Sequence, residues 1–317
     1  MKLIVPKYYK DFKCKGGSCT DNCCIGWEID IDSETLSKYD NEKGSLGERL
    51  KKNISREDTP HFILRGERCP FLNADNLCDI IIERGDGNLC DICREHPRFY
   101  TTLNDMIFGG VGLCCEEAAR LVLTADTPEY ITLEAEGDYE ECDGELLEIF
   151  LDLREGISKI FDQKEQTLVY IVERVEQAVK KAQSRADAES ENPYEIREVS
   201  HKTIVEIVEN SEFLSDELPT LLKKSLCPNL ETIKNNIVNN YLQNIFLYFL
   251  DRYLPKAVED GDFLSKFEVA LFSLKTIELL FLGEENLTLD RAVYLAKLYS
   301  KEMEYNEENV EKISYIL

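Results

Sequence analysis

Ten of the chain's twelve cysteines fall between Cys14 and Cys115, and they are grouped. Cys14, Cys19 and the adjacent pair Cys23–Cys24 come first, then Cys69 and Cys78, then Cys90 and Cys93, then a second adjacent pair, Cys114–Cys115. Thiolates are soft ligands suited to zinc and to iron–sulfur clusters. Four thiols lie within the eleven residues from Cys14 to Cys24, a spacing that suits several ligands converging on one small metal group. Cys90-Asp-Ile-Cys93 is a C-x2-C pair, which suggests zinc or a redox dithiol, but no second such pair completes a four-cysteine finger. The chain has only three histidines, His61, His96 and His201, so a metal here is held mainly by sulfur. The pattern marks a soft-metal site and leaves the metal open.

A disulfide scaffold is the competing reading, and it needs an oxidising compartment. The N-terminal residues lack an apolar run of signal-peptide length, and no stretch has the apolar length of a transmembrane helix. The expectation is a cytoplasmic protein with reduced thiols and no membrane association. Net charge is −25, of which residues 1–125 carry −4 and residues 126–317 carry −21. An acidic body repels nucleic-acid phosphates, so no nucleic-acid partner is expected. Solvated helix faces account for most such charge. The sequence sets no oligomeric state.

The elements that must position the cysteines change character along the chain. Residues 1–125 read as short elements with many turns. Trp27 to Asp32 alternates apolar and acidic like a half-buried strand, Asp32-Ser33 starts a helix, and Glu116 to Leu123 is a short helical run. Phe108-Gly109-Gly110-Val111-Gly112 reads as a turn leading into Cys114, since no Rossmann-type context surrounds it. From about residue 143, apolar residues recur at helical spacing, as in Leu168, Ile171, Val172, Val175 and Val179. Helices are expected at about 145–161, 165–186, 194–213, 214–226, 229–253, 262–282 and 288–317. The expected fold is mainly α. A cysteine-rich metal-binding module (residues 1–125) with short irregular elements packs on an all-α helical body (residues 126–317).

Read together, these residues resemble the flagellin lysine-N-methylase family. The likeness begins with Pro6, Tyr8, Phe12, Cys14, Gly16, Cys19, Asp21, Cys23-Cys24 and Gly26-Trp27. It continues through Cys69-Pro-Phe-Leu, Cys78, Cys93-Arg, Pro97-Arg98 and Leu113-x-Cys115-x-Glu117-Ala-Ala-Arg120. Asn240-Tyr241-Leu242-x-Asn244 and Ser300-Lys-Glu302-Met-Glu304 extend it more weakly toward the C-terminus. The cysteine-rich part is also similar to a wider group of zinc- or iron-chelating proteins. On this resemblance Cys14, Cys19, Cys23, Cys24, Cys69, Cys78, Cys93 and Cys115 are the metal-ligand candidates, whereas Cys90, Cys114, Cys142 and Cys227 are extras. The chain has Tyr305 and Asn306 where the family pattern has histidine and serine.

The resemblance implies transfer of a methyl group from S-adenosylmethionine to lysines of flagellin by a protein carrying an iron–sulfur cluster, [4Fe–4S] in type. Zinc is the alternative metal, and a non-catalytic zinc- or iron-binding scaffold is the alternative function. The C-x3-C-x2-C loop of radical S-adenosylmethionine enzymes is missing, because Gly26 stands where Cys19 and Cys23 would need a third cysteine. A lysine amine must lose its proton before attacking a sulfonium methyl. Glu117, Tyr241, Glu302 and Glu304 are the candidate catalytic acceptors. Glu302 and Glu304 are two residues apart and should face different sides of a helix. Trp27 is a candidate cation–π partner for the cofactor, alongside Tyr8, Tyr9, Phe99 and Tyr100. Arg98 could hold a carboxylate, and Asn240 and Asn244, four apart on one helix face, could orient the methyl donor.

Overall fold

The computed structural model describes residues 1–126, 129–163, 166–188, 194–225 and 236–317. The chain divides into two compact units: Met1–Phe12 with Phe99–Cys114 and Ala118–Leu317, and Lys13–Arg98 with Cys115–Glu117.

The larger unit is mainly helical, as the periodicity requires. Its long helices are Gly144–Phe161, Leu168–Ala186, Asn236–Tyr253 and Phe263–Leu282. Polar side chains start them: Asp143 accepts from the Glu145 and Leu146 amides, Thr167 from Tyr170 and Asp262 from Ser265. Phe263–Leu282 buries residues on every side, including Phe267, Phe272, Ile277 and Phe281, so it runs through the centre of the core.

Two expectations need correction in this unit, which beside its helices carries a four-stranded sheet in the order Arg98–Leu103, Met106–Val111, Lys2–Pro6, Tyr130–Glu134, only the last of them from residues 126–317. Leu3 lies opposite Ile107 in the parallel pairing and opposite Leu133 in the antiparallel one. The glycine run is not a turn but part of the strand Met106–Val111. Phe99 and Tyr100 lie so close that a Cβ on Gly109 would sit 2.7 Å from the Tyr100 ring, and one on Gly110 2.7 Å from the Phe99 ring. The glycines make room for those rings. Finally, the helix expected over 288–317 is broken. Leu289–Tyr299 ends in a π-helical turn, Ser300–Glu304, closed by the Tyr305 amide donating to the Ser300 carbonyl at 3.0 Å. Asn306 then caps a new helix, Glu307–Ile316. No helix among the described residues is long and apolar enough to cross a membrane.

The smaller unit has the short elements its turns suggest: helices Ser33–Asn41, Gly44–Asn53, Asp79–Arg84 and Asp91–Glu95, and a ribbon of Ile54–Ser55 with His61–Phe62. The alternating segment from Trp27 buries Ile29 and Ile31 and exposes Glu28 and Asp30. It joins the ribbon through an isolated bridge and two flanking amide bonds rather than as a full strand. Asp32 ties two elements together. One carboxylate oxygen accepts from the Thr35 amide at 2.8 Å, and the other from the Asp91 amide at 3.0 Å. Burial pushes its pKa up, but these amide donors outweigh it and hold the carboxyl below its ordinary value.

Asp32→Ala should therefore destabilise the smaller unit by about 1–2 kcal/mol in urea unfolding. Because the folded-state pKa is depressed, the wild-type contribution is present above the ordinary carboxylate pKa and disappears as the pH falls through the folded value. The stability gap between wild type and variant should close on acidification.

Candidate functional site

Backbone pairing gathers the thiols. The Cys69 amide donates to the Cys24 carbonyl at 2.9 Å, and a bridge joins Ile25 to Arg68, so the Cys23–Cys24 segment runs beside Cys69. A bridge between Leu72 and Cys78 folds Cys78 back over the turn that follows Cys69. Cys90 precedes the helix Asp91–Glu95, and the Cys93 amide donates to the Cys90 carbonyl at 3.0 Å. The Cys23 and Cys24 side chains are hydrogen-bonded, as are those of Cys90 and Cys93. Cys24 feels the charge of Cys69 and Cys78, and Cys93 that of Cys24 and Cys69. These six sulfurs form one group against the small core of Ile29, Ile31, Phe62 and Phe71.

Cys14 is exposed, and Cys19 sits near Cys14 and Cys23 at the edge of the group. Cys115 belongs to the same unit and is half-buried. Cys90 lies outside the resembled pattern, yet the fold buries it next to Cys93. Cys114 is buried in the other unit, hydrogen-bonded to Tyr305. Cys142 packs against the helical core, and Cys227 lies outside the described residues. None of the eleven described cysteines is joined in a disulfide.

Crowding governs their protonation. Burial pushes Cys69 up to about 11. Cys24 and Cys93 are raised by hydrogen bonding to their partner thiols, by burial and by neighbouring thiolate charge. Cys90 is lowered by the hydrogen bond with Cys93. So many thiolates cannot coexist here without a cation, and a bound soft metal would displace their protons. The donor set fits such a group. Among the described residues, three ligand atoms mutually within 4.8 Å occur at Glu28, Asp30 and His61, not among the thiols.

The loop bearing Cys14 and Cys19 is tied down by Glu116. Its carboxylate accepts from Lys15 Nζ at 2.7 Å, the Thr20 amide at 2.9 Å and the Thr20 hydroxyl at 2.5 Å. Burial favours the neutral acid, but Lys15 and Thr20 outweigh it and hold the pKa down at about 2. Glu117, the candidate acceptor, is less buried than Glu116. Trp27 meets His96 edge-on, ring centroids 6.4 Å apart, and burial pushes His96 down to about 4. Arg98 is half-buried, with Nη1 3.5 Å from the Arg94 carbonyl.

The remaining candidates lie in the helical unit. Glu302 and Glu304 are both buried on the π turn and face different partners, as their spacing implies. Glu302 accepts from the Leu214 amide at 2.6 Å and the Ser215 hydroxyl at 3.0 Å. Glu304 accepts from the Tyr248 hydroxyl and from Ser300 Oγ at 2.5 Å, and pairs with Arg252 Nε at 2.5 Å. The Arg252 guanidinium lies 4.5 Å from the Phe99 ring centre and 4.9 Å from that of Tyr305. Its Nη1 is buried and has no hydrogen-bond partner among the described residues. Asn244 Nδ2 donates to the Leu123 carbonyl at 3.0 Å and the Ala125 carbonyl at 2.9 Å, capping the helix Glu116–Leu123. Asn240 is exposed, and Tyr241 packs on the core. Tyr9 and Tyr100 share a hydroxyl–hydroxyl bond of 2.8 Å.

Sequence reasoning missed Glu116, Tyr248, Asp251 and Arg252. The signal for the last two was two adjacent charges within the apolar run Phe249-Leu-Asp-Arg-Tyr-Leu254.

Glu116→Gln should speed amide exchange across residues 14–20, with a local loss of about 1–3 kcal/mol. Glu117→Gln should leave that exchange unchanged. Hydrogen-exchange mass spectrometry reads both.

No family model matches the chain, and no solved structure matches it. Over 126 residues, 37% of this chain, it is 29% identical to the flagellar biosynthetic protein FliU of Salmonella muenchen, covering 75% of that protein. It matches the lysine-N-methylases of Salmonella choleraesuis and Salmonella typhimurium at the same identity and extent, spanning 31% of each. The chain is thus similar, through about a third of its length, to curated proteins named for flagellar biosynthesis and lysine N-methylation, in agreement with the resemblance read from its motifs.

Proposed function

We propose that the protein is an S-adenosylmethionine-dependent lysine N-methyltransferase acting on flagellin and carrying an iron–sulfur cluster. The observation that carries the reading is the gathering of Cys23, Cys24, Cys69, Cys78, Cys90 and Cys93 in one unit of a chain similar to lysine-N-methylases. A tetrahedral zinc with Zn–S bonds of about 2.3 Å draws its sulfurs to within about 4 Å of one another. The six thiols gathered here exceed the four that such a zinc takes, which supports a multi-iron group. Cys14, Cys19 and Cys115 supply further sulfur from the same unit. When bound, the cluster would anchor the methyl donor.

The transfer itself is polar under this reading. A lysine amine, once deprotonated, forms the N–C bond as the methyl–sulfonium bond breaks, and S-adenosylhomocysteine leaves. The acceptor needs no radical activation, which agrees with the missing three-cysteine radical loop.

Anaerobically purified protein should be brown and contain iron and sulfide. Cys24→Ser should bleach it and Cys142→Ser should not. Incubation with S-adenosylmethionine and cognate flagellin should methylate lysines, read by peptide mass spectrometry, without a reductant. A colourless zinc protein that transfers no methyl would replace this reading with a metal-binding scaffold. Formation of 5′-deoxyadenosine would overturn polar transfer.

A further inference from the structure

A small cavity opens within the helical unit. Tyr8, Tyr130, Asn244, Tyr248 and Asp251 supply its polar wall. It offers about 20 Å³ of water-sized space, room for a single water or ammonium-sized group.

The chemistry of the wall is one-sided. The Tyr130 hydroxyl donates to both oxygens of Asp251, at 2.9 and 2.8 Å. Among the described residues, no cationic group lies within ion-pair distance of that carboxylate. Arg154 acts on it only at longer range and lies 3.9 Å from the centre of the Tyr130 ring. Asn244 has its amide protons engaged by the Leu123 and Ala125 carbonyls, so only its oxygen is left to offer. None of the residues lining the cavity is cationic. A carboxylate enclosed in protein with its cation held beyond ion-pair distance is costly, and burial, only partly offset by Arg154 and Tyr130, raises the pKa of Asp251 to about 6. Phenol rings attract cations through their faces. One carboxylate is too few for a calcium or magnesium site, which takes six or more oxygens and usually several acidic ones. A monovalent organic cation fits the charge, the acceptors and the space.

We propose that this cavity is a primary-ammonium site that receives the ε-ammonium end of a lysine side chain against Asp251. The substrate class rests on the lysine-methylation reading above; the ammonium chemistry rests on the cavity. The neighbouring wall residue Tyr248 also donates to Glu304, so an occupant would sit one side chain away from the Glu304–Arg252 pair.

Saturation-transfer NMR on the full chain, with n-butylammonium chloride as probe and n-butanol as its neutral counterpart, tests the site. Binding of the ammonium, but not of the alcohol, is expected. Asp251→Asn should weaken ammonium binding by about tenfold or more. Should Asp251→Asn fail to fold, Ala125→Leu, at another lining residue, fills the cavity and should also weaken binding by about tenfold or more. Absence of ammonium binding, or equal binding by wild type and both variants, would overturn the proposal and leave the cavity as a water site. Methylation of flagellin with an unchanged KM for flagellin in Asp251→Asn would remove the site and spare the methyltransferase reading. Asp251-dependent ammonium binding by a protein that transfers no methyl would do the reverse.

Discussion

The smaller unit depends on keeping six crowded sulfurs uncharged or compensated. Its apolar core is modest, and two members of that core, Cys69 and Cys90, are themselves thiols. Each thiolate formed there raises the cost of the next, which is why burial and neighbouring sulfurs push Cys24, Cys69 and Cys93 upward together. The backbone bonds that bring Cys69 to Cys24 and Cys93 to Cys90 therefore set up a tension that protons relieve in the free protein and that a soft cation relieves more strongly. In a unit of this kind, metal affinity and folding stability draw on the same interactions. Asp32 and Glu116 make the arrangement rigid from outside, one by joining two helix starts and the other by pinning the Cys14–Cys19 loop.

The helical unit meets a comparable problem with one carboxylate. Glu304 is buried, and a buried charge is tolerated only with a well-placed counter-charge and hydrogen bonds. Arg252, Tyr248 and Ser300 provide them. The π turn at Ser300–Glu304 holds this arrangement, with Glu302 bonded to the Leu214–Ser215 segment while Glu304 meets Arg252. Tyr305, which stands where the resembled family has histidine, packs over Arg252 and bonds Cys114. Its role here is to enclose the guanidinium. Asn244, a candidate for orienting a methyl donor, has both amide protons engaged in capping a helix.

Periodicity and capping residues made most of the helices legible. Leu168, Ile171, Val175 and Val179 recur on one face and are all buried, and Asp32, Asp143, Thr167 and Asp262 stand at helix starts. Local patterns failed where a distant partner decided the conformation. Gly109 and Gly110 look like a turn in isolation, but the aromatic rings of Phe99 and Tyr100 claim the space above them and keep that backbone extended. The sheet eluded the sequence because Lys2–Pro6 pairs with strands more than a hundred residues away. The break at Ser300 depends on partners for Glu302 and Glu304 that come from other helices.

By itself the sequence determined that the first third of the chain is dense in cysteine and that the remainder is mainly helical, because cysteine density and apolar spacing are local properties. It also placed both glutamates of the C-terminal motif on different faces, since that follows from a two-residue separation. Only the tertiary structure decided which thiols share a space. Cys90 joins the group and Cys114 leaves it for Tyr305, although each lies next to or near a candidate ligand in sequence. The same holds for Glu116 over Glu117, and for Asp251 and Arg252, whose opposite neighbours arise from strands and helices brought together by folding. Spacing along a chain fixes direction only within one element; whether two side chains meet across elements is set by packing.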